Sequence, residues 1–253
     1  MAGFEKISSG SILYDNSELS EEEMKKMTAM VFQNYSLFKS MKVQQNIAYG
    51  IRHQKRSKQE KKSLILKVAS SLNIDNLLNR YPAELSGGEQ QRVGLARAII
   101  RNPKIYLFDE PLSNLDASLK QAMFDEIKKI YSNSESIFMY VTHDQMEASI
   151  LATKLLVMSE KKIEQVGTPQ EVYKNPRNIF VANFFGNPKI NLVEGTIITK
   201  KGNYYLKILD NQKILDKRKY DYNKLAPYQN KKVIVGIRPE DITFQKKGIK
   251  YNK

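Results

Sequence analysis

Apolar residues recur along the chain with two different periods. In residues 56–72 (RSKQEKKSLILKVASSL), Leu64, Val68 and Leu72 stand at spacings of four with charges between them, which predicts an amphipathic helix. A shorter helix is expected from Asp75 to Leu78, ended by Tyr81-Pro82. SGGEQQRVGLARAII places small residues first and then Val93, Ala96, Ile99 and Ile100 on one face, predicting a glycine-opened helix that stops before Pro103. Residues 119–131 repeat the amphipathic pattern. Between these lie short continuous apolar runs, IYLF (105–108), IFMYVT (137–142) and LLVM (155–158), with QMEASILAT helical between the last two. Continuous apolar strands followed by helices predict an α/β fold on a parallel sheet buried on both faces.

The pattern changes after residue 159. Glu160-Lys161-Lys162 separates two short strands as a hairpin, and Thr168-Pro169-Gln170-Glu171 has capping-box spacing with Pro in the first helical turn. A second short helix is expected over about 177–185, ending at Gly186. From Asn191 onward the segments are short, alternating and β-like (VEGTII, YYLKIL, KVIVGI). Gly186-Asn187-Pro188 breaks the chain, so two domains are expected, 1–186 and 187–253, the second being part of a small β-barrel.

At 253 residues and 41% hydrophobic content, the chain is long enough for this plan. It has no cysteine, which excludes disulfides, a thiolate metal site and a Cys nucleophile. No run of about 18 apolar residues is present, so no membrane-spanning helix is expected. MAGFEKISSG lacks the basic start and apolar core of a signal peptide, and a cytoplasmic location is expected. Lys and Arg number 41 against 27 Asp and Glu, a formal charge of +14. These cations fall in short scattered clusters such as Lys55-Arg56 and Lys217-Arg218-Lys219, not along one helix face interleaved with aromatics. No nucleic-acid partner is therefore expected.

Five segments carry candidate chemistry. In LSGGEQQR (85–92), Ser86, Gly87 and Gly88 open a helix whose unpaired N–H groups and dipole favour an anion, and two glycines let the backbone approach a phosphate. IYLFDEP (105–111) puts Asp109 and Glu110 at the C-terminal end of a buried strand, where open α/β sheets bind ligands. Asp109 suits a hard Mg²⁺, and Glu110 suits a base that orients water. VTHD (141–144) ends the next strand with His143, one of two histidines, on the same expected sheet edge and available to a terminal phosphate. SNLD (113–116) is a polar turn, and VFQNYSLF (31–38) sets Gln33 at the end of a short apolar segment. Taken singly, a glycine cap, a solvated strand end and a structural histidine are the plainer readings. His53, in the basic loop 52–58, is given no role.

In this order the five segments resemble the nucleotide-binding subunit of ATP-binding-cassette (ABC) transporters, over nearly the whole chain. The resemblance implies a P-loop NTPase-type cassette, incomplete here, followed by a partial OB-like regulatory (TOBE-type) barrel. It implies that Gln33 is the Q-loop glutamine, touching Mg²⁺ and facing a membrane permease. Ser86, Gly87, Gly88 and Glu89 match the signature motif, which completes the ATP site of a second ATPase subunit packed head to tail. Glu89 stands where the family more often has Gln. Asp109 and Glu110 match the Walker B aspartate and the catalytic glutamate, Ser113 to Asp116 the D-loop, and His143 the switch histidine. ATP and Mg²⁺ are the implied cofactors, and the inner face of the cell membrane the implied peripheral location.

EQVGTPQEVYKNPRNIFVANFFG, NPKINLVEG and VIVGIRPEDI (233–242) look like the sugar-importer branch, similar to maltose-type ATPases. The expected solute is a carbohydrate or glycerol phosphate, although polyamine and ferric-iron importers share this architecture. A non-transport cytosolic cassette protein and a non-enzymatic scaffold are the alternatives. One departure matters: no G-x-x-x-x-G-K-[ST] string occurs in the 253 residues, and only 32 residues precede Gln33. The chain is accordingly expected to be truncated at both ends, to lack the cis grip on ATP and to keep the trans half. Very weak ATP binding by the chain alone is expected.

Overall fold

The computed structural model describes residues 2–33, 35–113, 115, 117–245 and 248–251. Chain contacts divide it into two compact units, Met1–Leu151 and Ala152–Lys253.

In the first unit, β1 (Leu13–Tyr14) and β2 (Ser17–Glu18) form a hairpin. Its turn residues Asp15 and Asn16 take φ of 48° and 62°, a conformation their side chains tolerate. Helix α1 (Glu21–Met27) begins with a reciprocal Ser20–Glu23 capping box and passes directly into β3 (Thr28–Val31). Then come α2 (Val43–Tyr49) and α3 (Lys58–Ser71), the latter capped by Ser57 and Glu60. Helix α4 (Gly87–Ile99), β4 (Ile105–Asp109), α5 (Ala117–Ser132), β5 (Ile137–Val141) and α6 (Gln145–Leu151) complete the unit. The helices expected at 56–72, 86–100 and 119–131 are all present.

Strands β3, β4 and β5 form a parallel sheet in that order, with Val31 opposite Phe108 and Phe108 opposite Tyr140. One sheet face (Ala29, Val31, Tyr106, Phe108, Phe138, Tyr140) packs into the core with Val93 and Ala96 of α4 and Met123 and Ile127 of α5. Phe138 anchors it, with ring centroids 4.6 Å from Tyr106 and 5.8 Å from Phe108. The sequence predicts a sheet buried on both faces, and β5 departs from that. Ile137, Met139 and Val141 alternate onto its other face and are 49%, 42% and 53% exposed.

The second unit begins with a hairpin of β6 (Leu155–Ser159) and β7 (Lys162–Gly167). The hairpin expected at Glu160-Lys161-Lys162 is present, and the parallel-sheet place expected for LLVM is corrected. LLVM does not extend the parallel sheet but pairs antiparallel with β7, burying Leu155 and Val157 while Leu156 and Met158 face solvent. Glu160 and Lys161, both at positive φ (46° and 64°), make the turn that returns the chain at once, which a parallel connection cannot do. Helix α7 (Pro169–Lys174) carries the expected Thr168–Glu171 capping box, and α8 (Ile179–Phe184) follows. Strands β8 (Asn191–Lys200), β9 (Asn203–Ile208) and β10 (Asn211–Ile214), short helix α9 (Tyr222–Leu225), and β11 (Lys232–Ile237) come next. They build an antiparallel sheet of order β10-β9-β8-β11. β12 (Ile242–Gln245) and β13 (Gly248–Tyr251) form a final antiparallel pair. An α/β cassette-type unit is thus followed by an OB-like antiparallel sheet, the expected fold class.

Buried Arg238, just after β11, explains why α7 and α8 belong to this second unit. It donates to Ala182 O at 3.1 Å, Phe185 O at 2.8 Å and Tyr173 O at 2.8 Å, and its guanidinium lies 3.9 Å from the Tyr173 ring centroid. Gly186 sits beneath it at φ 140°, where an added Cβ would stand 2.7 Å from Arg238 Nη1.

Candidate functional site

Parallel strands end at the same edge, so β3, β4 and β5 deliver Gln33, Asp109–Glu110 and Thr142–His143 to one place. Asp109 is exposed as the last residue of β4, opposite Val141. Glu110 continues the ladder by donating its amide to Val141 O at 2.9 Å, and then turns the chain with φ 43°. A non-glycine residue held there is strained by about 1–3 kcal/mol, the kind of strain that gathers at functional sites.

The Glu110 carboxylate accepts from His143 Nδ1 at 3.1 Å; the histidine side chain is 73% exposed and the glutamate 31%. That bond leaves Nε2 as the ring atom for a further partner. Ser113 Oγ donates to Glu110 O at 3.0 Å and accepts from Gln33 Nε2 at 3.1 Å. Residues from four of the five predicted segments are therefore linked in the order Gln33–Ser113–Glu110–His143, through the carbonyl of Glu110 on one side and its carboxylate on the other. Asp116, the remaining predicted member of the 113–116 turn, lies outside the described residues.

The loop after Gln33 is also constrained. Tyr35 and Ser36 take consecutive positive φ values of 56° and 43°. Arg97 of α4 grips both, donating to Tyr35 O and Ser36 O at 2.8 Å each.

At the start of α4, Ser86 is the N-cap. Its Oγ accepts from Glu89 N at 3.3 Å and donates to Glu89 Oε2 at 2.9 Å, while Ser86 N donates to that same oxygen at 2.7 Å. The Ser86 backbone N–H, aided by its hydroxyl, holds the Glu89 carboxyl below the usual range. Glu89, a predicted ligand residue, is here the partner of its own helix cap. Gly87 is exposed with open space around its missing side chain. Gly88 is buried, and a Cβ there would meet Leu119 Cδ2 at 3.3 Å, so its glycine also serves helix packing. Gln91, one turn on, donates to Pro111 O at 2.8 Å and ties α4 to the residue after Glu110.

Sequence reasoning missed a second layer below His143. Glu147, 2% exposed, accepts from Lys120 Nζ at 3.1 Å, Tyr140 OH at 3.0 Å and Thr142 Oγ1 at 2.7 Å. Asp144 accepts from Lys120 Nζ at 3.2 Å and caps α6 through the Met146 amide at 2.8 Å. Burial pushes the Asp144 carboxyl up, but the Met146 amide and Lys120 outweigh it and hold the group low. Burial and the Glu147 carboxylate push the Tyr140 phenol far up, so it remains a donor. The D-x-x-E spacing of Asp144 and Glu147, a capping-box pattern, was the available signal.

Asp109 and the Gln33 amide oxygen suit Mg²⁺, which takes few protein oxygens and completes its shell with phosphate and water. Among the described residues no cluster of three or more His, Asp or Glu could hold a metal by itself. The donor set thus fits Mg²⁺ brought with a phosphate ligand, and exposed Gly87 at the α4 N-terminus fits an anion. Among the described residues no helix is long and apolar enough to cross a membrane.

Residues 1–113 match the ABC transporter family, and residues 186–242 match the MalK OB fold domain. The sn-glycerol-3-phosphate import ATP-binding protein UgpC of Psychromonas ingrahamii is 48% identical over 205 residues, covering 79% of this chain and 54% of that protein. The oligosaccharides import ATP-binding protein MsmX of Bacillus subtilis is 42% identical over 247 residues, 96% of this chain and 66% of its own length. UgpC of Escherichia coli O1:K1 / APEC is 41% identical over 245 residues, 96% of this chain and 67% of its own length. The chain thus spans between 54% and 67% of these relatives.

Proposed function

We propose that this chain, which belongs to the ABC transporter family of ATP-binding proteins, supplies hydrolytic residues to the ATPase of a solute importer. The observation that carries the reading is the strand-tip chain Gln33–Ser113–Glu110–His143 beside exposed Asp109. Asp109 and Gln33 would hold Mg²⁺. The Glu110 carboxylate orients the attacking water and accepts its proton. His143, held through Nδ1 by Glu110, offers Nε2 toward the terminal phosphate. Bound Mg²⁺·ATP supplies the phosphoanhydride whose cleavage drives transport.

Ser86, Gly87 and Gly88, with Glu89 and Asp116 beside them, are assigned to a partner ATPase subunit's nucleotide in a head-to-tail dimer. The 253 residues contain no G-x-x-x-x-G-K-[ST] string, so none of them is assigned the grip on this chain's own nucleotide. Alone, the 253-residue chain is expected not to bind ATP at micromolar concentration. The Gln33 region, clamped by Arg97, is assigned to the permease, and the protein to the inner membrane face as a peripheral subunit. Residues 1–186 act as the cassette and 187–253 as an OB-like regulatory domain, a division supported by the OB match that starts at 186. The names of the relatives favour a carbohydrate or glycerol phosphate as solute over a polyamine or iron.

Uptake tests this reading. Vesicles carrying the permease, the partner subunit and this chain accumulate labelled sugar or glycerol phosphate when ATP is supplied, and E110Q abolishes it. Uptake that persists undiminished in E110Q overturns the assignment.

A further inference from the structure

His143 itself is exposed, but Thr142 before it bonds one buried carboxylate directly and Asp144 after it is tied to that carboxylate through Lys120. Thr142 Oγ1 donates to Glu147 Oε2 at 2.7 Å and accepts the Asp144 amide at 2.9 Å. Tyr140 OH reaches the same Glu147 oxygen at 3.0 Å, and Lys120 Nζ bridges Glu147 Oε1 at 3.1 Å and Asp144 Oδ2 at 3.2 Å. A buried carboxylate is tolerated only with such compensation, and here both of its oxygens are used.

Asp144 already caps α6 through Met146, so the cap does not require Lys120. Lys120 comes from α5, which begins immediately after the 113–116 turn. Its neighbour Leu119 packs where Gly88 has no side chain. A single ammonium group therefore joins the start of α5, the 142–144 segment and α6.

We infer that Lys120 and Glu147 are positioning residues, which fix the 142–144 backbone so that the His143 ring meets Glu110 and which make that segment move with the start of α5. The inference rests on the ATPase reading for its consequence, but its geometry does not depend on nucleotide. Neither residue reaches the reacting atoms; both act through Thr142 and Asp144. A lysine is suited to the role because one ammonium offers three donors to two carboxylates at once.

The test uses the 15N ring signals of His143 in the 253-residue chain, one of only two histidines. Read at a pH where the ring is neutral, wild-type His143 is expected to carry its proton on Nδ1, and E110Q to lose that preference. K120M and E147Q are expected to shift the ring signals toward the tautomer mixture seen in E110Q, and K120R to keep the wild-type pattern. Ile127→Ala, a core change in the same helix α5, lowers the melting temperature and leaves the ring unchanged. If E147Q fails to fold, K120M and T142V carry the comparison. In the assembled transporter, K120M lowers ATP hydrolysis about tenfold, as expected for a small misplacement of a reacting group.

A wild-type ring pattern in K120M and T142V, with only stability reduced, overturns the inference. So does a shifted ring with wild-type hydrolysis, an outcome that leaves the ATPase reading intact. Because the ring is read without nucleotide, failure of the ATPase reading in E110Q is separate from failure of the positioning.

Discussion

Gln33 Nε2 donates to Ser113 Oγ at 3.1 Å, joining side chains 80 positions apart at the ends of neighbouring strands. Ser113 Oγ in turn donates to the carbonyl of Glu110, so two hydrogen bonds connect the glutamine to the strained residue proposed to supply the hydrolytic carboxylate. A change at the Gln33 loop thus has a short polar route to Glu110. In an importer, that loop is the one assigned to the permease.

The link is measurable as a coupling. Q33A and S113A each remove one side of the bond, and a double-mutant cycle in urea unfolding is expected to give about 0.5–1.5 kcal/mol of interaction. Additive single-mutant effects would contradict the bond.

The two glycines that open α4 differ in what they tolerate. Gly87 has open space, so G87A leaves stability within about 0.5 kcal/mol of wild type. Gly88 faces Leu119 at 3.3 Å, so G88V destabilises by about 1–3 kcal/mol through overpacking, and L119A recovers part of the loss. Thermal melting of the three variants decides; equal tolerance at both positions counts against this packing.

Arg238 locks α7 and α8 to the end of β11 through three carbonyls and the Tyr173 ring. R238M is expected to cost about 2–4 kcal/mol, and R238K to recover little, because an ammonium cannot reproduce the planar fork. Hydrogen exchange across 169–185 should accelerate in both variants. Protection unchanged from wild type would remove the latch from the account.

Acid should unfold the protein in a definite window. Asp144 and the capping-box carboxylates Glu60, Glu89 and Glu171 all titrate low in the folded chain. A carboxylate depressed on folding stabilises the protein above its unfolded pKa of about 4, and that stability is lost as pH falls through the folded value. The melting temperature is therefore flat from neutral pH to about 5 and falls below about 4. D144N starts less stable and falls less steeply; a slope equal to wild type would mean that Asp144 is not held low.

Much of this was legible in the sequence, for identifiable reasons. Helix α4 declares itself by the small residues at its start and by Val93 and Ala96 on one face. The gathering of Gln33, Glu110 and His143 follows from parallel strands, once each residue is recognised as a strand end. The hairpin of β6 and β7 was legible from Glu160-Lys161-Lys162, but that LLVM stands outside the parallel sheet was not, because four apolar residues read alike in a buried and a half-exposed strand. The bare face of β5 was hidden for the same reason: Ile137, Met139 and Val141 look like core. Lys120 and Glu147 were missed because a Lys and a Glu on amphipathic helices read as solvated, and what brings them together is the tertiary contact of α5 with α6 beside the end of β5.

The central claim is that Glu110 is the hydrolytic carboxylate of an assembled transport ATPase. The direct measurement is steady-state ATP hydrolysis by the transporter carrying E110Q, with nucleotide binding followed in the same preparation. Hydrolysis is expected to fall by about 100-fold or more while binding is retained, the signature of losing a base but not a ligand. Hydrolysis at the wild-type rate would contradict the account.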